Sequence, residues 1–414
     1  MRIPKATSSA SEQQGEYLVR ILSAATFLIF FQAYMVAPLI PRLALVFHAS
    51  AQRVAIAIPV YMIPYGTATL FYGVLSDRVG RRPIILGSLA LFGILTALTA
   101  VSRSVDGLIF WRLLTGIGAS GVVPIGLAFI GDVFPYEKRG RPLGWLFGAM
   151  AGGMAFGSTF GVLLEPIIGW RELFVGVGML GLACLVLLMR RTEFFVGRPS
   201  VACTKASDVF RTYRRLLAGW RGARTYIYVF GNAIFHSGVY TWLGLYFVRR
   251  YQLGEIGIGL ALLGYGVPGF ILGPVIGRAA DHWGRRWLIP AGLGIAAFAG
   301  VALILHVPIL LAALTVTVLS LGYDMTQPLL AGIVTTLDRE RGGQAMGLNV
   351  FALFTGFGLG SLAFGGMLGL GFSRALLFFC AAQLLAAFAA IPLYCSEKSP
   401  NMNARQPKAA GIVL

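Results

Sequence analysis

The sequence predicts an all-α polytopic membrane protein, with twelve transmembrane helices arranged as two pseudo-symmetric six-helix bundles. Composition is the first reason: 57% of the 414 residues are hydrophobic and only 12% are charged, against roughly a quarter charged in a soluble domain. Length is the second, because twelve stretches reach the roughly 20 mostly apolar residues that a helix needs to cross a bilayer. The third is an internal repeat. A cationic turn holding Gly73, Asp77, Arg78, Gly80, Arg81 and Arg82 lies between two apolar runs, and its spacing returns 204 positions later in Gly277, Asp281, Gly284, Arg285 and Arg286. The chain therefore reads as two copies of one membrane unit.

The distribution of charge sets the orientation. If the first span runs outward, cytoplasmic segments hold 26 of the 34 Lys and Arg, the opposite side holds 7, and Arg112 lies within a span. The positive-inside rule then puts both termini in the cytoplasm of a multi-pass protein of a bacterial inner membrane. The net charge of +18 is read as topology and contact with anionic lipid, not as a nucleic-acid surface. Cys184, Cys203, Cys380 and Cys395 show neither paired nor metal-ligand spacing, so disulfides and metal sites are not expected.

Residues 1–18 have no apolar core and read as a disordered cytoplasmic tail. The first bundle covers 19–190. Its span 1 (21–44) carries Pro38 and Pro41 near the outer end and one amide, Gln32, at its middle. Span 2 (54–75) delivers the first cationic turn, span 3 (84–101) leads out of it, and span 4 ends at Gly131 and Asp132. Span 5 (143–164) is rich in glycine, and span 6 covers 173–189. Residues 190–224 carry nine Lys or Arg and no apolar run of spanning length, so 191–223 is the linker between bundles. Its amphipathic part, 209–217, fits either a membrane-surface helix or a solvated connector. The second bundle covers 224–395, with spans at 225–248, 256–276, 287–305, 309–337, 345–370 and 375–394. Residues 396–414 read as a cytoplasmic tail.

Six spans, a basic linker, six spans and a repeated Gly-Asp-Gly-Arg-Arg turn resemble the major facilitator superfamily of secondary transporters. The first turn matches that family's signature between spans 2 and 3, and the second copy loses its final Pro. Gly80 permits a tight reversal, and Asp77 stands at a helix end where it can meet an arginine and a facing helix N-terminus. The resemblance implies that Asp77, Arg81 and Asp132 lock an inner gate. Arg112-Leu113-Leu114-Thr115-Gly116 in span 4 is similar to a motif of proton-coupled members. An arginine at that depth costs at least about 2.5 kcal/mol and should face a cavity or a partner, unless it snorkels outward. Gly144, Gly153, Gly157 and Gly161 in span 5 partly match the antiporter motif of the 12-helix bacterial drug:proton branch, although small residues four apart also simply let helices approach. One departure stands out: many drug antiporters place an acid in span 1, where this chain has Gln32.

Of the sixteen acids, Asp324 alone is placed deep within a span. Thr317, Ser320, Asp324 and Gln327 are three and four apart and share one helix face. A carboxyl group taken out of water favours its neutral form unless a cation pairs with it, and taking and releasing a proton is what coupling requires. Asn232, His236 and Tyr240 form a second polar face, on span 7. With Gln32, Tyr34, Phe235, Tyr323, Asn349 and Phe351 these residues are the candidate substrate cavity, and Asp324, Arg112 and His236 are the candidates for proton coupling. No cofactor is called for beyond the proton.

The family's mode of action implies two bundles rocking about a midplane site in a monomer that handles a small molecule within the bilayer. The first hypothesis is proton-driven export of small amphipathic compounds. The alternative is a proton-coupled carrier of a polar metabolite such as a sugar or organic acid. No His-Glu-x-x-His, Gly-x-Ser-x-Gly or phosphate-loop motif occurs, which argues against a membrane enzyme.

Overall fold

The computed structural model describes residues 6–134, 140–190, 206–338 and 342–397. The helices are α1 (Ala6–Val46), α2 (Ala51–Ala55), α3 (Pro59–Val79), α4 (Arg81–Thr99), α5 (Val105–Ala119), α6 (Val122–Val133), α7 (Gly140–Ile168) and α8 (Trp170–Met189). They are followed by α9 (Ala206–Ala218), α10 (Trp220–Tyr251), α11 (Glu255–Ala261), α12 (Val267–Trp283), α13 (Arg285–Ala302), α14 (Ile309–Val334), α15 (Gly342–Met367) and α16 (Phe372–Leu393). The end of the molecule that carries α9 is called the linker end below, and the opposite end the far end.

Among the described residues nine helices are long and apolar enough to cross a membrane. Their outward faces carry Phe71, Ile167, Leu310, Leu385 and Phe388, each more than 60% exposed, which suits hydrocarbon and no aqueous surface. The three other expected spans have physical reasons to fall short. The long helix α10 is diluted by Asn232, His236, Ser237, Thr241 and its tyrosines. Span 8 is broken into α11 and α12. The third, α13, is 18 residues long and opens on Arg285 and Arg286, so its apolar stretch is shorter than a full span.

Breaks divide three of the expected spans. Span 2 becomes α2 and α3, with Pro59 at the start of α3, where a missing N–H does no harm. Span 4 divides at Ser120 and Gly121. Span 8 divides over 262–266, where Gly266 takes φ +77°, a conformation that glycine adopts without strain. The two cationic turns behave as expected: Gly80 and Gly284 have φ of +99° and +80° and separate consecutive helices at the linker end.

Two expectations for the ends of the chain change. Helical backbone begins at Ala6, well inside the stretch read as a disordered tail. The reason is contact, since Leu18 and Val19 are buried and a Cβ on Gly15 would lie 2.9 Å from Val133 Cγ1 at the end of α6. Glu397, in the stretch read as a tail, is buried against Arg221 and Arg224. The linker does contain a helix, α9, whose Tyr213 and Leu216 pack with Tyr226, Val334 and Leu348 while Phe210 stays 66% exposed.

Close backbone approach sets the packing. The α1–α7 pair meets at Gly153, Gly157 and Gly161, where an added Cβ would fall within 2.5 Å of Phe27, Phe31 or Met35. Gly93 and Gly178 do the same for α4 and α8, and Gly292 and Gly322 for α13 and α14. The helices before and after the linker then meet along α3–α15, α1–α10 and α7 with α11 and α12.

Candidate functional site

Polar groups gather where spans break. Asp324, half-buried on α14, receives a hydrogen bond from Ser320 Oγ to its Oδ2 at 3.1 Å, one turn earlier on the same helix. Ser320 Oγ in turn accepts the Gly266 N–H at 2.8 Å. Asp324 also accepts from the Gly269 backbone N–H, and a Cβ on Gly269 would lie 2.6 Å from its carboxyl carbon. The carboxyl group therefore sits on the first turn of α12, where free N–H groups and the helix dipole favour negative charge. Breaking span 8 is what places a helix N-terminus there.

His236, on α10, is 1% exposed. Its Nε2 pairs with the Tyr265 hydroxyl, and its ring stacks on Tyr323 with centroids 3.7 Å apart. Tyr265 stacks on Tyr240 at 4.4 Å, and Tyr240 Oη donates to the Tyr34 carbonyl across the α10–α1 contact at 2.8 Å. Phe357 of α15 closes the group, 5.8 Å from the His236 ring. A small cleft lined by Ala151, Met154, His236, Tyr265, Ser320 and Asp324 opens beside it, so α7 faces the carboxyl group from the other half of the chain.

The first half has its own polar centre. Arg112, on α5, is fully buried and does not snorkel. Its Nε donates to the Ala57 carbonyl at 3.2 Å and its Nη1 to the Gln32 carbonyl at 3.4 Å. The guanidinium lies over the Tyr61 ring, 4.1 Å from its centroid, a cation–π contact. Ala57 lies in the α2–α3 break, whose freed carbonyl suits a cation. The breaks of spans 2 and 8 thus serve opposite charges.

The sequence brings together part of this. Tyr34, His236, Tyr240, Tyr323 and Asp324 do converge. Asn232 does not join them: it accepts from Gln383 Nε2 at 2.9 Å and donates to Thr326 Oγ1 at 2.8 Å, a closed clasp between α10, α14 and α16. Gln327 and Asn349 are buried with side-chain atoms that lack a hydrogen-bond partner, and neither bonds to His236 or Asp324. Thr317 donates back to Ala313 in its own helix. Phe235 packs near Gly300, and Phe351 lines a lateral groove with Arg78 and Tyr213. Tyr265 and Phe357 were not anticipated. The signal for Tyr265 was the run Gly264-Tyr265-Gly266-Val267-Pro268-Gly269, since a glycine and proline interruption marks a discontinuous span.

Some residues of the two cationic turns are among those described. Arg81 Nη1 donates to Ser76 Oγ at 2.7 Å within its own turn. The Arg286 N–H donates to the Glu397 carbonyl at 3.2 Å, and Arg82 and Arg78 are exposed. The side chains of Asp77, Asp132 and Asp281, with Gly144 and Gly277, lie outside those described.

A polytopic helical protein whose charged groups sit at helix breaks between two halves has the build of a membrane carrier. The Major Facilitator Superfamily model matches residues 22–361 and again 251–412, and the chain belongs to that superfamily. It is 25% identical over 267 residues to the MFS-type transporter YwfA of Bacillus subtilis, covering 63% of each chain. Citrate exporter 1 of Aspergillus niger is 29% identical over 42% of this chain and 33% of its own. Multidrug resistance protein 3 of B. subtilis is 35% identical over 30% of this chain and 25% of its own. The chain thus spans less than two thirds of each of these three relatives. A crystal structure of a bacterial homologue of the human lysosomal transporter Spinster, inward-facing and unoccupied, superposes with a TM-score of 0.73 at 16% identity, over 93% of this chain and 98% of that one.

Proposed function

We propose that this chain is a secondary active transporter that exports small amphipathic organic compounds by alternating access, driven by proton entry. It would cross a bacterial inner membrane twelve times as two six-helix bundles (19–190 and 224–395) joined by a cytoplasmic linker, with both termini cytoplasmic, and would work as a monomer. The observation that carries the proton role is Asp324, an interior carboxyl group on a helix N-terminus at the meeting of the two halves. His236 and Tyr265 form a hydrogen-bonded pair beside it, and the rings of Tyr34, Tyr240, Tyr323 and Phe357 offer a flat apolar surface to a substrate. The span 2 turn, the span 4 motif and the name of the multidrug relative support export. The name of the citrate relative supports the second reading, a proton-coupled carrier of a polar metabolite.

The test is accumulation of fluorescent dyes and radiolabelled metabolites in an efflux-deficient bacterial host, comparing the native chain with Asp324→Asn at matched expression. Export predicts that the native chain lowers the cellular level of an amphipathic compound, and that both an uncoupler and Asp324→Asn abolish this. Uptake of one polar metabolite with the dyes unaffected would replace this reading with the second.

A further inference from the structure

The charges of Asp324 and Arg112, one in each half, are not equally satisfied. Asp324 is served by Ser320 and by the backbone of α12. Arg112 carries a full charge with none of that compensation. Its two acceptors are neutral carbonyls, its Nη2 has no hydrogen-bond partner, and no carboxylate among the described residues pairs with it. Around it, the Gln32 amide has neither its Oε1 nor its Nε2 bonded, and the Tyr61 and Tyr65 hydroxyls are likewise without partners. All four side chains are at most 1% exposed. Buried polar groups are nearly always paired, and a guanidinium with a free N–H edge is shaped for a carboxylate. The charge that this cluster lacks is negative.

The surface leading away from the cluster is aromatic. Tyr61 is 6.0 Å from Tyr65, and Tyr65 stacks on Phe354 of the other half at 4.1 Å with planes only 16° apart. Phe354 is followed by Phe357 at 5.8 Å and then by His236 beside Asp324. Parting the halves separates Tyr65 from Phe354 and offers two flat faces next to the guanidinium.

We propose that the substrates are amphipathic organic acids, whose anionic group is held by Arg112 with Gln32, Tyr61 and Tyr65, and whose apolar ring enters between Tyr65 and Phe354. This rests on the alternating-access reading above and assigns Arg112 to substrate binding in place of proton transfer. Asp324 keeps the proton, so the cation and the acid serve different partners at opposite ends of one aromatic strip.

The test is isothermal titration of the purified full chain in detergent at pH 7.5 with three probes of one shape: 2-naphthoate, neutral 2-naphthamide and cationic 2-naphthylmethylamine. The expected result is at least tenfold tighter binding of naphthoate than of either other probe. Arg112→Gln should erase that difference and Arg112→Lys restore part of it. Tyr61→Phe, which keeps the ring under the guanidinium and removes only the hydroxyl, should weaken naphthoate several-fold, and with the native comparison it decides the matter if Arg112→Gln does not fold. Equal binding of the three probes, binding of none, preference for the amine, or an advantage of naphthoate that survives Arg112→Gln overturns the proposal. Uncoupler-sensitive export of cationic dyes without carboxylate preference would refute this inference and leave proton-driven export standing. Carboxylate-selective binding by a chain whose efflux ignores the uncoupler would do the reverse.

Discussion

Burial alone would raise the pKa of the Glu397 carboxyl group, but the Arg221 hydrogen bond and the charges of Arg221, Arg224 and Arg285 outweigh it and hold the group below its ordinary value. Arg221 grips it with two hydrogen bonds of 2.7 and 2.9 Å, Arg224 with a third, and Arg224 also donates to the Leu393 carbonyl. The cluster ties the end of α16 to the start of α10. A carboxylate with a depressed folded pKa stabilises fully above its unfolded value of about 4.3, and the contribution fades as pH falls through the folded pKa. Glu397→Gln should therefore lower stability at pH 7 by about 2 kcal/mol, the scale of hydrogen bonds to charged groups. The difference should shrink below about pH 4.3, as read by thermal unfolding in detergent at several pH values; a constant gap across that range would exclude the ionic origin. Nothing in the sequence pointed to this pairing, because its partners lie 176 and 173 positions away. The same limit hid Tyr265 from His236 and sent Asn232 to the cavity: periodicity gives the face of a helix and not what stands opposite. Ser320 and Asp324 were legible because they are four apart on one helix.

Whole helices were easier to read than their breaks. Apolar run length located nearly all of the long helices within a few residues, since in lipid a backbone can satisfy itself only by staying helical. The breaks at 56–58 and 262–266 escaped because the apolar character runs on through them, and hydropathy is blind to a lost turn. The glycines of span 5 show the converse. Their spacing fitted both an antiporter motif and simple close approach of helices, and the structure sets Gly153, Gly157 and Gly161 at the seam against α1. A Cβ on Gly157 would lie 2.4 Å from the Phe31 carbonyl oxygen and 2.8 Å from its Cα, and a backbone cannot turn aside as a side chain can. Gly157→Ala should destabilise the fold by about 1–3 kcal/mol through overpacking. Gly148→Ala, on the same helix with nothing within 4 Å, is the control and should leave stability equal or slightly higher. Equal melting temperatures for the two variants would show that the seam yields.

At the scale of the whole molecule, the two halves touch where glycine removes the side chain. Gly244 meets Pro38, Gly259 meets Leu163, Gly266 meets Ala155, and Gly358 meets Ile63 and Pro59. In these four the glycine belongs to the second half, Gly66 of the first half meets Phe351 and Phe354 likewise, and two of the contacts, Gly244–Pro38 and Gly259–Leu163, lie toward the far end. Beside Arg42, whose charge also interacts with Glu255 of the second half, closure there rests on the close approach of each glycine to its neighbour. Such a contact forms and parts without stranding a charge, which suits a carrier that must close and open in every cycle. It is also easy to wedge. A Cβ on Gly244 would already stand 3.1 Å from the Pro38 carbonyl oxygen, so Gly244→Trp should hold the far end open, abolish transport and leave the packing within each half intact. The check uses a chain with its four native cysteines replaced by serine and a single Tyr34→Cys, a position now 3% exposed. The wedge should make that cysteine react at least tenfold faster with a membrane-impermeant maleimide applied from the far side, with a melting temperature close to that of the parent. Loss of transport without a gain in labelling would mean that the Gly244–Pro38 contact packs the fold and does not gate it.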